Sequence, residues 1–133
     1  MRVVGYIASD SFRHGYVTHQ VQNQAIRHFL SGQGREFLLS WSEFKGQAPL
    51  VLRSLLQEKF YQGICFYSLE QLEALPDPLT WFSILGRRAD WVGFAREECF
   101  FTTTQGWGEA ERLFCIKSQL DRPRPDLGEL WAR

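Results

Sequence analysis

Four polar segments of this chain stand directly after stretches of β-forming residues: Ser9-Asp10-Ser11, Ser40-Trp41-Ser42-Glu43, Tyr67-Ser68 and Arg96-Glu97. Ser9 is a candidate nucleophile with Asp10 as its neighbouring acid, a role that also requires a positioned base and an oxyanion partner. His19 is the candidate base, because an imidazole titrates near neutrality. Glu43 is a candidate general acid or base, and Glu97 is a possible partner across the same mouth. Tyr67 completes the candidate catalytic set, with the hydroxyl of Ser68 beside it lining the pocket. Each of these residues also has an ordinary reading: a solvated surface carboxylate, a surface histidine, or a core aromatic whose hydroxyl is satisfied.

Gln20, Asn23 and Arg27 recur at i, i+3 and i+7, so one helical stripe presents two amides and a guanidinium. With Gln22, Ser40, Ser68 and Glu97 they form the candidate ligand-binding set, suited to a polyhydroxylated or anionic molecule. The alternative for the stripe is a solvated polar face opposite Val21, Ala25 and Phe29. No His, Cys, Asp or Glu spacing supports a metal site. Cys65, Cys99 and Cys115 are odd in number and far apart, and read as free thiols, neither a disulfide framework nor a zinc motif. Gly32-Gln33-Gly34 closes a helix where a dinucleotide loop would open one, and there is no Walker-type loop, so no cofactor is expected.

The elements that must position these groups alternate. Arg2 to Ser9 reads as the first strand, and Thr18 caps a helix carrying Val21, Ala25, Ile26, Phe29 and Leu30 that ends at Gly32-Gln33-Gly34. Glu36 to Ser40 reads as a short second strand, followed by a helix from Ala48 to Phe60 with Pro49 in its first turn. Ile64-Cys65-Phe66-Tyr67 is continuously apolar, as in a strand buried on both faces. Pro76 and Pro78 split the next stretch into two helical pieces. Trp91 to Ala95 reads as the fourth strand, Glu98 to Thr102 as an edge strand or hairpin arm, and Gly108 to Leu120 as a final helix capped by Thr104. Alternation predicts an α/β fold, a three-layer sandwich around a mostly parallel sheet of four or five strands with right-handed crossovers. In such a sheet ligands bind beyond the carboxyl ends of the strands, where all four polar segments fall.

Length and composition agree with one domain. The 133 residues are 44% hydrophobic and 15% aromatic, enough for a core, and fit a single domain over 1–120 with an extended or disordered tail over 121–133. Fifteen basic residues offset fifteen acidic ones, so the field that gathers nucleic acid is missing and a nucleic-acid partner is disfavoured. Arg13, His14 and Arg27 are scaled to a small anion. The opening apolar run is too brief for a signal peptide and nothing approaches a membrane span, so a cytoplasmic location without membrane partners is expected.

The words Val4-Gly5-Tyr6-Ile7-Ala8-Ser9, Gln20 to Leu30, and Phe66-Tyr67-Ser68-Leu69-Glu70-Gln71-Leu72 resemble, in order and spacing, the catalytic domain of serine recombinases over about the first hundred residues. That resemblance implies a resolvase-like fold. In that family a serine after the first strand attacks DNA, aided by an arginine just before it and others after the third strand. Here Ala8 precedes Ser9, Asp10 follows it, and Ser68 to Leu72 holds no arginine. Without cations for the developing charge the recombinase reaction is disfavoured, and the C-terminal part lacks a helix-turn-helix reader.

A second set of words covers about residues 4–118: Gly5-Tyr6-Ile7; Val21-Gln22-Asn23 with Ile26-Arg27; Leu38-Leu39-Ser40 with Glu43; and Phe66-Tyr67-Ser68-Leu69 with Gln71-Leu72. It resembles a small family found sporadically within bacterial carbohydrate biosynthesis clusters. The chain departs from that pattern near Thr18-His19 and in its tryptophan-rich later half. The resemblance implies a role in making surface polysaccharide or another sugar-containing product. The expected function is a small enzyme or ligand-binding accessory acting on a sugar, sugar nucleotide or related polar metabolite. The alternatives are a non-catalytic protein docking to a biosynthetic enzyme through its aromatic later half and tail, or a degenerate recombinase-like DNA binder. A two-fold homodimer is the ordinary expectation for so small a domain.

Overall fold

The computed structural model describes residues 1–8, 15–43 and 50–102. Ser9, Asp10, Ser11, Arg13, His14, Cys115, the final helix expected over 108–120 and the tail over 121–133 lie outside the described residues. The elements are β1 (Arg2–Ala8), α1 (His19–Gly32), β2 (Glu36–Glu43), α2 (Leu50–Leu55), β3 (Gly63–Phe66), α3 (Glu70–Glu73), α4 (Pro78–Arg88), β4 (Trp91–Phe94) and β5 (Cys99–Thr102). The fold is α/β, with a five-stranded sheet in the order β2-β1-β3-β4-β5. The first four strands run parallel, and β5 returns antiparallel on β4 as a hairpin arm.

The sheet alternates with a period of two, and its two faces feed two cores. Val3 and Ile7 of β1, Cys65 of β3 and Trp91 of β4 pack against Ile26, Phe29 and Leu30 of α1. Their neighbours Val4, Tyr6, Ile64, Phe66, Val92 and Phe94 face the other way. That second core takes Leu52 and Leu55 from α2, Leu72 from α3, and Trp81, Phe82 and Leu85 from α4. Tyr6 meets Phe66 edge-on at 5.4 Å and Phe66 stacks on Phe94 at 5.6 Å, a line of rings across three parallel strands.

The helix termini follow local chemistry. Thr18 is the N-cap of α1, its hydroxyl accepting from the Val21 amide, and Gln33 closes the helix with Gly34 in the left-handed region behind it. Pro78 opens α4 in the first turn, where a missing N–H costs nothing. Strand β3 shifts by one residue at each end, so that Tyr67 falls just after it, β4 and β5 are each one residue shorter at an end, and two expected boundaries move further. The second strand continues past Ser40 to Glu43, because Tyr6, Ile7 and Ala8 of β1 pair with Trp41, Ser42 and Glu43. The second helix ends at Leu55 instead of Phe60; the Tyr61 hydroxyl donates to the Leu55 carbonyl at 2.7 Å and satisfies that helix end from outside. No helix among the described residues is long and apolar enough to cross a membrane.

Candidate functional site

In the order β2-β1-β3, the chain leaves β1 for β2 on one side and returns for β3 on the other. This topological switch opens a crevice beyond the carboxyl ends of β1 and β3. The sheet register sets out the rim in sequence: Glu43 beside Ala8, then the Tyr67-Ser68 segment after β3, then Arg96-Glu97 after β4.

Three buried polar side chains knit this rim. Gln22, at the start of α1, accepts from the Ala8 amide at 3.1 Å and donates to the Ala8 carbonyl at 2.8 Å and the Val17 carbonyl at 2.9 Å. All of its amide functions sit on backbone, so it fastens the end of β1 to the approach of α1. Gln71, in α3, accepts from the Ser68 amide at 2.9 Å and donates to the Tyr6 carbonyl at 3.2 Å, tying the loop after β3 across to β1. Glu43 is fully buried at the end of β2. Its Oε1 accepts from the Tyr6 hydroxyl at 2.8 Å, both oxygens accept from the Val51 amide at 3.1 Å, and Oε1 reaches the Leu52 amide at 3.3 Å. The carboxylate therefore joins β1 and β2 to the start of α2, where unpaired N–H groups favour a negative charge.

Ser68 and Glu97 form the second part of the rim. The Ser68 hydroxyl donates to Glu97 Oε2 at 2.8 Å and accepts from the Glu70 amide at 3.2 Å. Glu97 Oε1 accepts from the Leu69 amide at 3.1 Å. Outside them, Arg96 donates to Glu70 at 3.0 Å in a partly exposed ion pair. Arg96 and Glu97 occupy the tight turn between β4 and β5, which Glu98 completes at a positive φ of 53°.

The expected site residues separate into groups. Gln22, Glu43, Ser68 and Glu97 come to the rim, with His19 at the start of α1 and Tyr67 just after β3, both half-buried, and Gln20 exposed. Asn23 and Ser40 meet each other, the Ser40 hydroxyl donating to the Asn23 amide oxygen. Ser40 pairs with Gly5, three residues short of the end of β1, so this contact lies below the rim. Arg27 does not join them. It stacks over the Phe37 ring at 5.0 Å, and Phe37 pairs with Val3 near the amino end of the sheet. The i, i+3, i+7 stripe is real, but α1 runs opposite to the strands, and each turn carries it about 5.4 Å away from the rim. Ser9 lies outside the described residues.

Two structural partners escape a reading of the sequence. Tyr6 sits among apolar strand residues, and its hydroxyl acquires a role only through Glu43, 37 positions on. Gln71 stands in a four-residue helix with no periodicity of its own. Cys65 and Cys99 are not joined in a disulfide, and burial pushes the Cys65 thiol far above its ordinary range, making it an inert core residue. Among the described residues no group of three or more His, Cys, Asp or Glu side chains is placed to hold a metal ion.

The arrangement is a stiff frame. Gln22, Gln71, Glu43 and Ser68 spend their polar atoms on backbone and on neighbouring side chains, and His19, Gln20, Tyr67 and Arg96 stand less buried around them. Comparison of the chain with protein-family models, with curated proteins and with solved structures found no match.

Proposed function

We propose that this chain is a small ligand-binding accessory protein or enzyme of bacterial carbohydrate biosynthesis. It holds a sugar, sugar nucleotide or related polar metabolite in the crevice beyond β1 and β3. The observation that carries the reading is the β1/β3 switch point, closed below by Gln71 bridging the Tyr6 carbonyl and the Ser68 amide. A cross-tied floor of this kind keeps recognition groups in place before the ligand arrives, which lowers the cost of ordering them. We read the fold as a three-layer, resolvase-like sandwich acting in the cytoplasm. The resemblance to the sporadic carbohydrate-cluster family supports the substrate class.

Thermal unfolding in the presence of a panel of sugar nucleotides and sugar phosphates tests this. A true ligand at a hundredfold excess over its Kd adds about 2.7 kcal/mol of stability. Gln20→Ala, at an exposed position, should weaken that ligand about tenfold without lowering the Tm of the free protein. If no panel member raises the Tm, the reading is wrong.

A second reading, in which the chain pairs with itself or docks on a biosynthetic enzyme, is favoured by β2. Among the described residues this strand is an edge of the sheet, and its Leu39 is exposed, as is Val21 on the neighbouring α1. Sedimentation of wild type against Leu39→Lys would reveal a self-association that depends on this edge.

A further inference from the structure

The face of the molecule formed by α2 and α4 holds a cavity of about 370 Å³ that the rim does not use. Its size falls within the range of small-ligand pockets. Asp77, Thr80, Trp81 and Arg88 line it from the α4 side, and Arg53 and Gln57 from α2 and the turn after it. Leu56 and Ile84 supply apolar floor.

The charges in this cavity are sorted along α4. Asp77 precedes Arg88 by eleven residues, which on a helix is about 16 Å of axial distance. At the Asp77 end the carboxylate accepts from the Thr80 hydroxyl at 2.7 Å, leaving its other oxygen available. At the other end stands Arg88. Arg53, from the facing helix, lies over the Trp81 ring at 5.9 Å, and that ring is itself packed in the core. The indole therefore holds the Arg53 guanidinium against the groove wall, at about the level between the two ends. Among the described residues, neither Arg53 nor Arg88 has a carboxylate partner within ion-pair distance.

Two guanidiniums that form no ion pair among the described residues, lining one cavity from α2 and α4, match an oxyanion able to accept several hydrogen bonds, and a phosphoryl group does this with bidentate geometry. The Gln57 amide, in the turn after α2, adds a neutral donor to the same lining. Asp77 and Thr80 at the far end match hydroxyl groups and repel a second anion. We propose that this groove is a second ligand site, separate from the β1/β3 crevice, and that it binds a phosphate monoester of a small hydroxylated molecule. The phosphoryl group lies between Arg53 and Arg88, and the hydroxyls point toward Asp77.

The test uses the full chain and three probes: glucose 1-phosphate, glucose and inorganic phosphate. Arginine Nε–Hε resonances are followed by NMR, and affinities are measured by calorimetry. Glucose 1-phosphate should shift the Arg53 and Arg88 signals, bind at least tenfold more tightly than inorganic phosphate, and lose tenfold or more in Arg53→Gln and in Arg88→Gln. Glucose alone should leave both signals in place. Asp77→Asn should weaken the ester but not inorganic phosphate. Gln20→Ala, at the rim, should leave this binding unchanged, so failure of either site is seen separately. Unmoved arginine signals at millimolar ester, undiminished affinity in both arginine variants, or equal affinity for ester and inorganic phosphate would each overturn the proposal.

Discussion

Replacing Glu43 by alanine removes a fully buried carboxylate and leaves three donors behind: the Tyr6 hydroxyl and the amides of Val51 and Leu52. The Tyr6 side chain is 2% exposed, so water cannot easily replace the lost acceptor there. Each buried donor left unpaired costs about 1–3 kcal/mol, while the α2 amides recover part of theirs by fraying. The expected cost is about 3–5 kcal/mol, in the range for breaking a buried charged network. Glu43→Gln keeps the shape and one acceptor and should cost about 1–2 kcal/mol. Tyr6→Phe should cost a similar amount, because the carboxylate retains the helix amides. Tyr6 and Glu43 are in direct contact, so the double variant Tyr6→Phe/Glu43→Ala should lose about 1–2 kcal/mol less than the sum of the singles. Urea denaturation with an unchanged m-value measures all four. If Glu43→Ala unfolds within 1 kcal/mol of wild type, or the cycle is additive, the carboxylate is not an anchor. It would then return to the list of groups free for acid–base work.

Two further predictions probe the cores on either side of the sheet. A Cβ at Gly93 would fall 2.3 Å from Trp91 Cη2 and 3.1 Å from Phe29 Cε2, and the fully buried Trp91 indole also stacks on Phe29 and Phe100. Gly93→Ala should therefore cost about 2 kcal/mol through overpacking, seen as a Tm lowered by roughly 6–10 °C; an unchanged Tm would mean that the stack is loose. On the opposite face, burial first and then the nearby Glu58 carboxylate raise the Tyr61 phenol to about 12, with Arg88 opposing them. Because the folded value lies above the ordinary 10, the stabilisation is complete below pH 10 and is lost as pH rises from 10 through 12. Absorbance at 295 nm should show a phenol ionising near pH 12 together with unfolding, and Tyr61→Phe should abolish that step. A titration above pH 11 that is identical in Tyr61→Phe would refute the assignment.

Much of the fold was legible because its signals are local. Thr18 before a helical apolar stripe, Gly34 after it, Pro78 at a first turn and the unbroken Ile64-Cys65-Phe66 run each report a backbone state through the chemistry of a few adjacent residues. The parallel sheet followed from their alternation. The boundary errors lie where a distant partner decides. Residues 41–43 remain extended because β1 pairs with them, and α2 stops at Leu55 because Tyr61 caps it from beyond its own end.

The site was less legible for a related reason. That polar residues follow each strand can be read directly, and the switch-point rule then gathers them to one rim. Which of them retain a free lone pair cannot be read, because it depends on partners 37 positions apart for Tyr6 and Glu43, and 29 for Ser68 and Glu97. The stripe of Gln20, Asn23 and Arg27 shows the other gap: periodicity gives a face but no direction, and the helix runs down the sheet away from the rim.

The distribution of bonds also bears on what kind of function this rim can have. A general base must offer a lone pair to substrate, and Glu43 is fully buried, its Oε1 accepting from the Tyr6 hydroxyl and the Leu52 amide and both oxygens sharing the Val51 amide. A serine nucleophile must give up its proton at an exposed oxygen, and the Ser68 hydroxyl is buried, donating to one neighbour and accepting from another. Gln22 and Gln71 are committed to backbone in the same way. These four side chains therefore fix where β1, β2, β3 and the starts of α1, α2 and α3 meet. Bonds of this kind, made to backbone at the ends of three strands, hold the shape of the rim whatever the crevice beyond it does.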